Sequence, residues 1–193
     1  MILSDVIKFI YRIIVSRYLG PSDYGLLSLG EGVLNIALLF SVLGLQLGAV
    51  KFIAQYLGEE NIEKIKGIIA ATFRIILPVS ISIMLLIILF SQYIAIGIFH
   101  KRELVPIIAI FALTLPFASF NNTLASIFVA LKKINYWNYL TALVRPLSLI
   151  ILTVVIISFK GDAADIAIAT LGTYILSAGL GAYLLEFKTL PII

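Results

Sequence analysis

The sequence predicts an all-α integral membrane protein, and three observations carry that prediction. Apolar residues make up 62% of the 193 positions, against about 45–50% in an ordinary soluble domain. Charged residues make up 12%, against about 25%, too few to cover the surface of a soluble chain of this size. The charges are also spaced so that four stretches, 32–50, 75–99, 104–131 and 166–185, carry none. Each reaches or approaches the ~20 residues that cross a hydrocarbon core of ~30 Å. In lipid every backbone group must be bonded within the protein, which favours helices over open strands.

Six membrane helices follow in order. The first, about 2–18, is short, and Asp5, Lys8 and Arg12 interrupt its apolar run. That interruption, with no cleavage site after it, is unlike a signal peptide. Gly20-Pro21-Ser22-Asp23 reads as a turn: glycine ends a helix and proline presets φ for the next segment. The second helix covers about 25–48. Residues 51–66 differ in kind, because Phe52, Ile53, Tyr56 and Leu57 recur at helical spacing ahead of Glu59, Glu60, Glu63, Lys64 and Lys66. That pattern predicts an amphipathic connector lying at the membrane surface. The third and fourth helices cover about 67–93 and 104–131. The fifth, about 136–159, is broken only by Arg145, and Lys160-Gly161-Asp162 separates it from the sixth, about 164–186.

Lysine and arginine in the loops set the orientation. With a cytoplasmic N-terminus, the inner loops and tail hold Lys51, Lys64, Lys66, Lys132, Lys133 and Lys188. The outer loops hold Arg17, Lys101, Arg102 and Lys160. The Lys132-Lys133 pair beside Tyr136 and Trp137 is the clearest inner marker, since aromatic residues favour the interface.

Several function classes find no support. The net charge is +4 with no basic block, so no nucleic-acid partner is expected. There is no cysteine, which removes disulfides, thiolate catalysis and cysteine metal sites. No phosphate-cradling loop, HExxH or GxSxG appears, so no enzyme activity, cofactor, metal or nucleotide hydrolysis is expected. His100, beside Lys101 and Arg102, reads as an interfacial loop residue.

The informative feature is a set of polar stripes within the spans. Asp5, Lys8, Arg12 and Ser16 lie three or four residues apart, so they share one helix face. Ser28, Glu31 and Asn35 repeat this, with Gln46 further on. Arg74, Pro78 and Ser82 mark helix three, and Ser119, Asn122 and Ser126 mark helix four. Helix five offers Asn138, Thr141, Arg145 and Ser148, and helix six offers Thr170, Tyr174, Ser177 and Gly181. A charge at membrane depth costs at least about 2.5–3.5 kcal/mol. Lys8, Arg12, Glu31, Arg74 and Arg145 therefore face one another or water. One reading is interhelical pairing, Glu31 with Arg12 for instance. The other is a hydrated, net-positive cavity for an anionic substrate, because four of the five are cations. Pro78, Pro116 and Pro146 each remove a helical hydrogen bond, and broken helices at membrane depth are common in transporters.

The stretch SRYLGPSDYG, the LGL at Leu43–Leu45, KFIAQYLGEEN after helix two and the IKG at Ile65–Gly67 together resemble the N-terminal region of polysaccharide flippases. These belong to the multidrug/oligosaccharidyl-lipid/polysaccharide exporter superfamily. From Leu104 onwards the resemblance rests on helix lengths and the LKKINYW loop. It implies two six-helix bundles around a central cavity in the cell membrane, flipping lipid-linked oligosaccharide by alternating access without ATP. This chain would supply one bundle, as a half-length or fragmentary flippase. The implied partners are the lipid-linked oligosaccharide, membrane lipids and a second half-transporter bundle or a homodimer mate. The resemblance implies basic residues of helix one in the cavity, here Lys8 and Arg12, with Arg17 near the outer mouth; read with the stripes, the candidate cavity residues are Lys8, Arg12, Glu31, Asn35, Arg74, Asn122 and Arg145. A drug or cation exporter of the same superfamily is a second reading, though only Glu31 is a central carboxylate. A non-transporting scaffold subunit, with the stripes serving as glue, is a third.

Overall fold

The computed structural model describes residues 2–42 and 44–189, with the side chains of 6–42 and 44–186; the side chain of Asp5 and that of Lys188 lie outside that set. The described residues are helical, without strands. In order come α1 (Ile2–Val42), α2 (Leu45–Gly58), α3 (Ile62–Leu89), α4 (Leu104–Ala130), α5 (Ile134–Tyr139), α6 (Arg145–Ser158) and α7 (Ala163–Tyr183). Single π-helical stretches at Tyr93–Ile98, Leu140–Val144 and Leu184–Thr189 follow α3, α5 and α7. Five helical segments are long and apolar enough to cross a membrane: Val6–Val42, Ile62–Leu89, Leu104–Ala130, Ile134–Ser158 and Ala163–Glu186.

The first segment is where the sequence places two helices, and the physical reason is Gly20. A straight helix of the 41 residues in α1 would be about 60 Å long, twice the hydrocarbon core. Gly20 instead takes φ 76° and ψ 173°, a region that is essentially glycine-only. Pro21 follows as the first residue of the second arm, where its missing N–H has no helical partner to lose. On a straight rod Lys8 and Asn35 would stand about 40 Å apart, yet both line one cavity. The chain therefore folds back at Gly20. The connection is one residue, with Pro21, Ser22 and Asp23 already helical, so the turn is tighter than its four-residue motif suggests.

Beyond Val42 the second arm does not continue to 48. Gly44 is left-handed at φ 70° and opens α2, which takes up the first half of the connector. Ile53 and Ala49 of α2 are buried against Ile65, Ile127 and Phe128. The amphipathic pattern thus docks on the bundle end, while Leu47 and Phe52 stay exposed. Asn61 caps α3 by accepting from the Lys64 amide at 3.1 Å.

Helix α4 is the spine. It carries no charge, as suits a helix buried on most sides, and it packs on α1, α2, α3 and α7. Its first half, with Ile107, Ile108, Phe111 and Leu115, joins one core cluster that includes Val15, Leu27 and Ile166. Its second half, with Leu124, Ile127 and Phe128, joins the other. Lipid tails are as apolar as leucine, so close packing rather than burial from water holds such a bundle. Glycine permits that packing at two crossings. A Cβ on Gly30 would stand 2.5 Å from Phe111, and one on Gly181 would stand 2.7 Å from Leu124.

At the end holding Gly20, the Tyr18 hydroxyl donates to the Gly161 carbonyl at 3.0 Å, tying the α1 turn to the α6–α7 turn. There Asp162 and Asp165 form a reciprocal cap at the start of α7.

Candidate functional site

A cavity of about 710 Å³ opens between the two arms of α1, the α5–α6 segment and α7. Among the described residues, three cations and one carboxylate line it: Lys8, Arg12, Arg145 and Glu31. Neutral polar groups come from Ser28, Asn35, Asn138, Thr141, Thr170 and Thr173, and aromatic rings from Tyr11, Tyr24, Trp137 and Tyr174.

Each wall follows from local sequence. Lys8, Tyr11 and Arg12 sit on one face of the first arm by three- and four-residue spacing, and Ser28, Glu31 and Asn35 do the same on the second. The fold-back at Gly20 brings the two faces together. On the α5–α6 side, Pro146 has no N–H to give and would clash with the carbonyl four residues earlier. The π-helical stretch Leu140–Val144 lies just before it, where a wider turn accommodates the missing N–H. Asn138, Thr141 and Arg145, three and four residues apart, line the cavity together. Such π turns recur at functional sites.

Arg12 acts electrostatically on Glu31, but no ion pair within 4 Å joins them among the described residues. Arg145 lies over the Tyr174 ring, its guanidinium carbon 4.3 Å from the centroid. Cation–aromatic contacts of this kind contribute from ~0.5 kcal/mol in water to ~2 kcal/mol or more when desolvated. The Tyr174 backbone is itself anchored. Its carbonyl accepts from Asn121 Nδ2 at 3.0 Å, the same amide donates to the Phe117 carbonyl, and Ser177 donates to Asn121 Oδ1 at 3.0 Å.

Five of the seven residues marked from the sequence meet here: Lys8, Arg12, Glu31, Asn35 and Arg145. Two do not. Arg74 is exposed on α3, two residues from each of the buried Thr72 and Ile76. Two residues along a helix is about 200°, the opposite face. Asn122 is half-buried on α4 outside the cavity, while its neighbour Asn121 is buried and bonded across to α7. The rest of the α4 stripe is also structural: Ser119 shares a 2.7 Å hydrogen bond with Ser41, and Ser126 donates to the Asn122 carbonyl.

Many stripe hydroxyls are spent on their own helices. Ser28 donates to the Tyr24 carbonyl, Ser82 to Pro78, Thr141 to Trp137 and Thr170 to Ile166. Sequence reasoning missed the aromatic lining as a group. Tyr11 precedes Arg12 and lies three residues after Lys8, a spacing that carries the signal; Tyr24, four residues before Ser28, carries the same one. The Tyr11 hydroxyl and Thr153 Oγ1 are buried without a hydrogen-bond partner among the described residues.

No curated protein and no solved structure matches the chain. A family model described as "Polysaccharide biosynthesis protein" matches residues 1–191. With nearly the whole chain inside that match, this protein of apolar, membrane-length helices is a member of the polysaccharide biosynthesis protein family.

Proposed function

We propose that the chain carries an anionic lipid-linked oligosaccharide across the cell membrane by alternating access. The observation that carries this reading is the cavity, lined among the described residues by three cations and one carboxylate, inside a bundle of a polysaccharide biosynthesis family. Cations at membrane depth are costly unless water or an anion is beside them, and surplus positive charge suits a negatively charged cargo rather than a cationic drug. The neutral amides, hydroxyls and rings in the same walls are the groups that bind sugars, by hydrogen bonds and by stacking.

In this reading the two arms of α1 cross separately, which makes six crossings with the N-terminus in the cytoplasm. The cavity is one wall of a larger site. Rocking about a midplane site requires two bundles, so a second polypeptide or a second copy completes it. The chain is not an enzyme. Transport draws on an ion gradient or on the membrane potential, worth ~2.3 kcal/mol per charge per 100 mV.

The test is complementation in the source organism lacking the gene, with surface polysaccharide as the readout. Arg12→Ala and Arg145→Ala should each reduce it at least several-fold while the protein stays in the membrane at normal abundance. Normal surface polysaccharide from both variants would overturn the reading.

A further inference from the structure

We propose that Tyr174 is a positioning residue that holds Arg145 ready for an oxyanion of the substrate. The proposal rests on the anionic-cargo reading above and adds to it the device that fixes the arginine.

Arg145 and Tyr174 are both half-buried and both line the cavity. The guanidinium carbon stands 4.3 Å from the ring centroid. Among the described residues Arg145 makes no side-chain hydrogen bond and no ion pair. The ring is thus the group that orients it, and none of the described residues accepts from the five N–H donors of the guanidinium. A guanidinium paired with a carboxylate would already have spent its fork. One held on a ring keeps the fork for a bidentate oxyanion, the geometry at which arginine excels.

Both partners are held from behind. The Tyr174 carbonyl is bonded to Asn121 of α4, and Ser177, one turn further along α7, is bonded to the same side chain. Arg145 is placed by the π-helical stretch before it and by Pro146 after it. Holding one of its rotamers in advance removes part of the ordering cost that a free arginine would incur on binding.

The experiment uses the purified full chain in detergent and inorganic diphosphate as the probe. Trp137 is the single tryptophan and lines the same cavity, so its fluorescence reports binding. Sodium chloride at matched ionic strength is the control. Tyr174→Phe keeps the ring and should bind within about twofold of the parent. Tyr174→Leu should bind about tenfold more weakly, in line with a partly desolvated cation–ring contact. Arg145→Gln should weaken binding at least as much, and adding Tyr174→Leu to it should cost nothing further, since coupled residues are not additive. Tyr174→Met serves in place of leucine should the latter fail to fold.

If Arg145→Gln weakens binding while Tyr174→Leu leaves it unchanged, or if the two losses add, the positioning role is overturned and the cavity reading survives. If Arg145→Gln binds diphosphate as tightly as the parent, the cavity reading falls, and the proposal falls with it.

Discussion

Replacing Gly20 by alanine isolates backbone geometry from packing. Nothing lies within 4 Å of a Cβ built there, so alanine meets no neighbour. The whole effect comes from φ 76° and ψ 173°. A side chain held in a glycine-only region costs about 1–3 kcal/mol. Gly25 is the control: its helical backbone has a Cβ position equally free of neighbours, and alanine in a helix gains roughly 0.5–1 kcal/mol over glycine. Two substitutions of the same chemistry, five residues apart, should therefore move stability in opposite directions. For a chain of this length 1 kcal/mol corresponds to about 2–4 °C in Tm. Gly20→Ala should then melt roughly 2–12 °C below the parent, and Gly25→Ala about 1–4 °C above it. Thermal aggregation in detergent, followed by size-exclusion chromatography, measures both. Asparagine should not rescue position 20, because ψ 173° lies far from the left-handed helical well that asparagine tolerates. A Gly20→Ala protein as stable as the parent would refute the hairpin argument.

Other outcomes follow from single features. Asn121→Leu should destabilise by about 1–3 kcal/mol, leaving the Ser177 hydroxyl and the Tyr174 carbonyl without their partner, read as a fall in Tm; an unchanged Tm would mean that water replaces the amide. Asp162→Ala removes the acceptor of two amides at the start of α7 and should cost about 0.5–2 kcal/mol, again by thermal melting. Arg74→Ala should leave surface polysaccharide at the parental level in cells where Arg12→Ala lowers it, because Arg74 lies outside the cavity. With no native cysteine, Glu59→Cys and Asn135→Cys should resist an impermeant thiol reagent in intact cells while Lys101→Cys reacts; the reverse labelling would invert the orientation.

The helix content and the cation surplus were legible because both are written in charge. A charge at membrane depth must face inward or water, so Lys8, Arg12, Glu31 and Arg145 announced the cavity without any structure. Arg74 lies outside the cavity, because the face of α3 that packs carries Thr72, Ile76 and Ser80 instead. Asn122 lies outside it for a related reason. On α4 nothing but packing distinguishes it from Asn121, 100° around the helix. Serine and threonine were weaker guides still, since a hydroxyl bonded to its own helix is no longer a sign of a partner. The aromatic lining was hidden by ambiguity of another kind: Trp137 beside Lys132-Lys133 reads as an interfacial anchor until the chain is seen to curl its face inward.

The hairpin closed by Gly20 also bears on the moment of synthesis. Arg145 follows Arg12 by 133 residues, on the order of ten seconds at a ribosome's roughly 5–20 residues per second. Glu31 follows Arg12 by 19, on the order of one to four seconds. A wall completed by α6 and α7 comes together late, and the charged group they add to it, Arg145, has the same sign as Arg12. Folding back at Gly20 delivers a carboxylate to the same wall almost at once. The first hairpin can thus leave the insertion machinery as a unit whose charges partly offset each other, and the later helices close around it.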